Sequence, residues 1–164
     1  MTYNFSNVKV LVVEDSQPMT IITVALLNGF GIRDVQTAKR TDDAYRLFCE
    51  ERHDLILTDW MMKPYDGIEF ANKIRMDSLS PNPFVPIILM TGFSEKRRVI
   101  EARDTGVTEF LVKPFTANDL YKRIDQIIMK PRQFVKSPDF FGPDRRRKLL
   151  DPDETPKRRN DDPE

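Results

Sequence analysis

The chain has 164 residues, the length of one ordinary domain, and its 26 basic and 26 acidic side chains cancel. Overall charge therefore selects neither nucleic acid nor a membrane surface as partner. The single cysteine, Cys49, excludes an internal disulfide and a multi-cysteine zinc site; between Phe48 and Glu50 it reads as a part-buried structural thiol. The opening residues carry no basic segment followed by a long apolar run, and no run approaches ~20 apolar residues. Neither a secretion signal nor a membrane-spanning helix is expected, and the expected location is the cytoplasm.

From residue 8 onward, apolar runs of strand length alternate with helical patterns. "VKVLVV" (8–13) reads as the first strand. A helix over 18–27 follows, with Met19, Ile22, Ala25 and Leu26 at helical spacing and Gly29 and Gly31 to end it. "DVQTA" (34–38) is the second strand. The helix over 41–51 groups Ala44, Leu47 and Phe48, with Thr41 as its expected N-cap. "DLILTD" (54–59) is the third strand, and 66–76 groups Ile68, Phe70, Ala71 and Ile74 on a helix opened by Asp66-Gly67. "VPIILMT" (85–91) is followed by a helix over 94–105 that starts with Ser94 and Glu95 and stops at Gly106. "EFLVK" (109–113) precedes a last helix over 116–129 that buries Leu120, Ile124 and Ile127. Runs such as "LVV", "LIL" and "IILM" are apolar without interruption, as in strands of a parallel sheet covered on both faces. Five strands alternating with five helices predict a doubly wound α/β sheet.

Beyond residue 130 the composition changes. Half of the 12 prolines fall in 131–164, among nearly balanced acidic and basic side chains, and such a segment should not form a core of its own. The division expected is therefore a domain over 1–130 and a Pro-rich, charged tail over 131–164. Within the tail, Phe134, Phe140 and Phe141 are poorly left in water, so 132–148 is expected to dock, on the domain or on a partner. Past Leu150, disorder is expected. The arginines at 145–147 stand among Asp139, Asp144, Asp151 and Asp153, which weakens a nucleic-acid arm.

Open parallel sheets bind ligands beyond the carboxyl ends of their strands. Here those ends carry Glu14-Asp15, Asp59, Thr91 and Lys113-Pro114. Three carboxylates brought together repel by several kcal/mol per pair at intermediate dielectric, so a cation belongs among them. Hard oxygen donors with no imidazole or thiolate nearby favour Mg2+ as that cation. Lys113 and the Thr91 hydroxyl leave room for an anionic phosphate.

The stretches "VLVVEDS", "LILTDWMMKPYDGIEF", "PIILMTGFSE" and "EFLVKPF" together resemble the receiver domain of two-component response regulators, over essentially all of 5–130. The resemblance implies a flavodoxin-like sheet of strand order 2-1-3-4-5. It implies that Asp59 is the phosphoacceptor, attacking a phosphoryl group from a kinase phosphohistidine or small phosphodonor. Glu14, Asp15, Asp59 and the backbone carbonyl of Met61 would hold Mg2+, and Lys113 would offset charge on the transferring oxygens. Thr91 would bond the phosphoryl group, and Phe110 falls at the family's switch aromatic. The implied partners are a sensor histidine kinase or phosphotransfer protein, a downstream protein target and a phosphorylation-dependent second copy. In this family the face made by 94–105, 109–113 and 116–129 commonly binds partners, here with Lys96, Arg97, Arg98, Glu101, Arg103 and Lys122. The stretch "RQFVKSPDFFGPDRRR" is also similar to tails of some alphaproteobacterial single-domain receivers.

The reading is thus a stand-alone receiver, a phosphoprotein switch rather than an enzyme with its own catalytic domain. Its alternative is a receiver that regulates nucleic-acid or scaffold binding through the tail. A haloacid-dehalogenase-type phosphatase needs a second Asp two residues beyond the nucleophile, where Met61 stands. Receivers usually have Met-Pro after the acceptor; here Met62 is followed by Lys63 and then Pro64. Met61 and Phe93 occupy the positions that flank hydrolytic water in the family, and their apolar character predicts slow loss of phosphate. Trp60 is expected to be half-exposed beside the acidic site, and His53 to be a surface residue.

Overall fold

The computed structural model describes residues 4–92, 106–131, 133–137 and 140–143. The elements run β1 (Lys9–Val13), α1 (Gln17–Gly29), β2 (Asp34–Ala38), α2 (Thr41–Glu51), β3 (Leu55–Asp59), α3 (Gly67–Met76), β4 (Ile87–Thr91), β5 (Glu109–Val112), α4 (Ala117–Met129), β6 (Phe134–Ser137) and β7 (Phe140–Pro143). The first five strands form one parallel sheet in the order β2-β1-β3-β4-β5. The helix expected over 94–105 lies outside the described residues.

Alternate residues of each central strand feed two separate cores. Leu11 and Val13, Ile56, and Ile87 and Leu89 pack with Phe48, Phe70 and Ile74 from α2 and α3. Val10 and Val12, Leu55 and Leu57, and Ile88 and Met90 pack with Leu27, Leu120, Ile124 and Ile127 from α1 and α4. Both faces are covered, so the strands need apolar residues at every position rather than at alternate ones. Each fully buried side chain of this size contributes about 1.5–3 kcal/mol by leaving water.

Local signals set the helix ends. Ser16 caps α1, Asp66 caps α3 through the Glu69 N–H at 2.9 Å, and Thr116 and Asp119 form a reciprocal capping box on α4. The N-cap of α2 is Arg40 and not Thr41. The Thr41 hydroxyl instead donates to the Tyr65 carbonyl at 2.7 Å, tying α2 to the loop before α3. His53 is buried, not superficial: it is 2% exposed, its Nε2 lies 2.6 Å from Gln36 Oε1, and its ring stacks on Phe48. Burial pulls its pKa down to about 4.

Two strands in the tail were not expected. β6 and β7 form an antiparallel hairpin, Phe134 opposite Pro143 and Lys136 opposite Phe141. The hairpin has no core of its own. Phe134 and Phe141 close on Phe84, with ring centroids 5.2 and 5.5 Å away and 5.6 Å from each other. Such offset and edge-on aromatic contacts add about 0.5–1.5 kcal/mol per pair beyond burial.

Candidate functional site

β1 and β3 end side by side and β5 ends one strand further, beyond β4, and their last residues and the residues just after them bring the charged groups together. Carboxylate oxygens of Glu14, Asp15 and Asp59 all lie within 4.8 Å of one another. Lys113, one residue past β5, reaches back across the sheet end, its Nζ 2.8 Å from Glu14 Oε2 and 3.3 Å from Asp59 Oδ1. Asp59 Oδ1 also accepts from the Trp60 N–H at 2.9 Å, and Glu14 Oε1 from the Ser16 N–H at 3.2 Å. The peptide bond after Lys113, leading into Pro114, is cis, as is that between Lys63 and Pro64.

The floor beneath Asp59 is tight. A Cβ on Gly67 would stand 2.3 Å from the Asp59 carbonyl oxygen and 3.0 Å from Leu89 Cδ1. Only a residue without a side chain lets the first turn of α3 come so close. The Gly67 N–H donates to the Trp60 carbonyl at 2.7 Å, closing the loop that leaves the site.

Burial raises the carboxyls of Glu14 and Asp59 above their ordinary values, and Lys113 pulls both back only in part. The neighbouring carboxylates push the other way, Asp59 acting on Glu14 and Asp15 acting on Asp59. Burial alone would depress the Lys113 ammonium. The hydrogen bond to Glu14 and the Asp59 charge outweigh it and hold the ammonium above its usual value. Among the described residues, three carboxylates facing one lysine leave a net negative site built from hard oxygens. A divalent cation of the Mg2+ type fits that donor set, since it accepts one or two carboxylates and keeps its remaining positions for water and phosphate.

The remaining residues singled out from sequence are placed as follows. Thr91 is the last residue of β4, and its carbonyl accepts from the Lys113 N–H at 2.7 Å, so its backbone abuts the lysine. Phe110 is partly buried and packs on the core beneath α2 and α3. The Met61 side chain points to solvent, 62% exposed, while Met62 is buried. Trp60 is buried at 7% exposure rather than half-exposed, and it belongs to the core under the acidic loop. Phe93 and the charged positions 96–103 lie outside the described residues. Lys122 is exposed on α4.

The family model of the response regulator receiver domain matches residues 10–125, which takes in every one of these groups. The chain belongs to that family. The receiver is 32% identical over 121 residues to the chemotaxis protein CheY-3 of Vibrio cholerae, covering 74% of this chain and 92% of that protein. The crystal structure of the chemotaxis response regulator CheY4 of Vibrio cholerae superposes with a TM-score of 0.66 at 31% identity, over 73% of this chain and 98% of that one. The receiver domain of the sensor histidine kinase PA1611 from Pseudomonas aeruginosa PAO1 superposes with a TM-score of 0.66 at 26% identity, over 74% of this chain and 98% of that one. That structure has a magnesium ion coordinated in its active site cleft. The family match stops short of the β6–β7 hairpin.

Sequence reasoning passed over Arg75, which is 4% exposed on α3. Its guanidinium donates to the carbonyls of Gly106 (3.0 Å), Pro83 (2.9 Å) and Val85 (2.6 Å) and to Thr108 Oγ1 (3.4 Å). Burial lowers its pKa to about 9, so it remains a cation at neutral pH. Its position gave the signal, since it follows Phe70, Ala71 and Ile74 on the buried stripe of α3.

Proposed function

We propose that this receiver works as a phosphorylation-driven binding switch, with Asp59 as the acceptor. The single observation that carries the reading is the Lys113 ammonium between Glu14 and Asp59, inside a cluster of three carboxylates. A carboxylate oxygen of Asp59 attacks phosphorus as the bond from phosphorus to the donor breaks. The donor is the phosphohistidine nitrogen of a histidine kinase or phosphotransfer protein, or the oxygen of a small acyl phosphate. Lys113 holds Asp59 in its ionised form and then faces the transferred oxygens, a fixed positive charge where negative charge develops. Thr91, at the end of the adjacent strand, donates its hydroxyl to the phosphoryl group. Phe110, three residues before Lys113 on β5, then changes its packing and reports the modification to the surface. Mg2+, held by Glu14, Asp15, Asp59 and the Met61 carbonyl, would neutralise charge on the transferring oxygens.

The switch acts in the cytoplasm by changing protein–protein binding, and a downstream protein target or second copy is its partner. Met61 and Phe93 slow the approach of water, so the acyl phosphate persists beyond the seconds scale. Decay of the phosphorylated protein within seconds in Mg2+ contradicts that part of the reading. Incubation with acetyl phosphate and Mg2+ tests the whole. Intact mass rises by one phosphoryl group in the wild type and stays unchanged in Asp59→Ala; a gain of equal size in the variant overturns the assignment.

A further inference from the structure

The β6–β7 hairpin lies outside the family match and has no part in the site, yet it is seated on the structure that organises two of the site's strands. β7 runs against α3, and the Phe134 ring lies 4.9 Å from the Arg75 guanidinium carbon. A Cβ on Gly106, which has φ +91°, would stand 2.9 Å from Arg75 Cγ and 3.2 Å from the Phe141 carbonyl oxygen. Hairpin, Arg75 and Gly106 therefore meet without spare room.

Arg75 in turn joins the amino ends of β4 and β5. It binds Val85 just before β4 and Gly106 and Thr108 just before β5. Thr108 is shared: its hydroxyl oxygen accepts from the Ile87 N–H at 3.0 Å, and its own N–H donates to the Ile87 carbonyl at 2.9 Å. From there the ladder continues through Ile88↔Glu109, Leu89↔Phe110, Met90↔Leu111 and Thr91↔Val112 to the bond from the Lys113 N–H to Thr91. The same two strands thus carry the hairpin's anchor at one end and Thr91 and Lys113 at the other. At ~3.3 Å per residue the ladder spans roughly 17 Å.

We propose that docking of the β6–β7 hairpin on Arg75 and Phe84 sets the phosphoryl-accepting competence of the site at the far end of β4 and β5. The proposal rests on the assignment of Asp59 as acceptor and adds a regulatory element in cis. Docking keeps the guanidinium covered and so fixes the register and spacing of the two strands that position Thr91 and Lys113. Anything that pulls the hairpin away then lowers competence. A binding partner that captures the aromatic hairpin would therefore act as an inhibitor of phosphorylation.

The test uses the full chain and the Phe134→Ala/Phe141→Ala double variant. Two readings are taken where both melt cooperatively: amide exchange over 134–143 and 109–113, and the rate of mass gain with acetyl phosphate and Mg2+. The expected result is loss of protection in the hairpin, faster exchange at 109–113 and phosphorylation at least threefold slower. An undocked hairpin with an unchanged rate makes it a structural strap only and overturns the proposal. Retained protection at 134–137 overturns it as well, because the aromatic anchors would not be what holds the hairpin. If the wild type gains no phosphoryl group, the acceptor assignment falls. The proposal falls with it, whereas an unchanged rate in an undocked variant overturns the proposal alone. Should the double variant not melt cooperatively, Phe134→Leu, which keeps the bulk and removes the ring from Arg75, is scored by the same readings.

Discussion

The two ends of the sheet bury charge in opposite ways. At the carboxyl ends, Glu14 is buried and Asp59 part-buried, with Asp15 beside them and, among the described residues, Lys113 as counter-charge; both carboxyls are held above their ordinary values. At the amino ends, Arg75 is buried as well, and among the described residues its partners are carbonyl and hydroxyl oxygens. Every acceptor around Arg75 is a neutral dipole already aimed at it, so the arrangement is satisfied and rigid. Among the described residues, the carboxylate cluster has fewer cationic partners than negative charges. It is left short of positive charge, which is the condition for taking up a cation and reacting with an electrophilic phosphorus.

Breaking the satisfied end should have the largest effect. Arg75→Ala leaves the carbonyls of Gly106, Pro83 and Val85 without their donor and removes the surface under Phe134, for a loss of at least about 3 kcal/mol. Denaturant unfolding measures it, and a loss below about 1 kcal/mol would mean that water replaces the guanidinium freely. Gly67→Ala comes next, at about 1–3 kcal/mol, because the new methyl must displace the Asp59 backbone or the start of α3. A thermal melt with no shift would show that the approach relaxes without strain.

His53 gives a pH dependence of known sign. Its folded pKa of about 4 lies below the ordinary 6.5, so the unfolded chain binds more protons between those values. Its contribution is fully present above pH 6.5 and is lost as pH falls toward 4, at up to about 1.4 kcal/mol per pH unit. Denaturant midpoints at pH 7.5 and 5 should converge more closely in His53→Gln than in the wild type. Glu14 and Asp59 act in the other sense, since carboxyls raised by folding bind protons more tightly in the folded state and favour it as pH falls. The smallest effect is a stabilisation: Asp59→Asn without Mg2+ should gain about 1 kcal/mol by relieving repulsion with Glu14 and Asp15. Mg2+ should then raise the melting temperature of the wild type more than that of the variant.

The clustering of the acidic groups and Lys113 was legible in the sequence because each of them follows its own apolar run. "LVVED", "LILTD" and "FLVK" mark strand ends, and parallel packing gathers strand ends whatever the details of the helices. The quiet end was not, because its contacts are between segments far apart in the chain. Arg75 is satisfied by residues that precede β4 and β5, and His53 by Gln36 on a strand two places away in the sheet. The hairpin was hidden for the same reason. With Pro143 in it and four residues per strand, it carries little local preference for pairing, and it forms against Phe84 rather than alone. Thr41 carried the right chemistry for a cap, but the Tyr65 carbonyl takes its hydroxyl proton.

The central claim, that the charge-starved end of the sheet is the reactive one and that Asp59 is its nucleophile, is tested most directly by locating the phosphoryl group. The full chain is treated with acetyl phosphate and Mg2+, cleaved under acidic conditions, and the peptide carrying the added mass is sequenced by fragmentation. The account predicts one phosphoryl group, on Asp59. A group found on Asp15, Asp66 or any other residue, or no added mass at all, would contradict it.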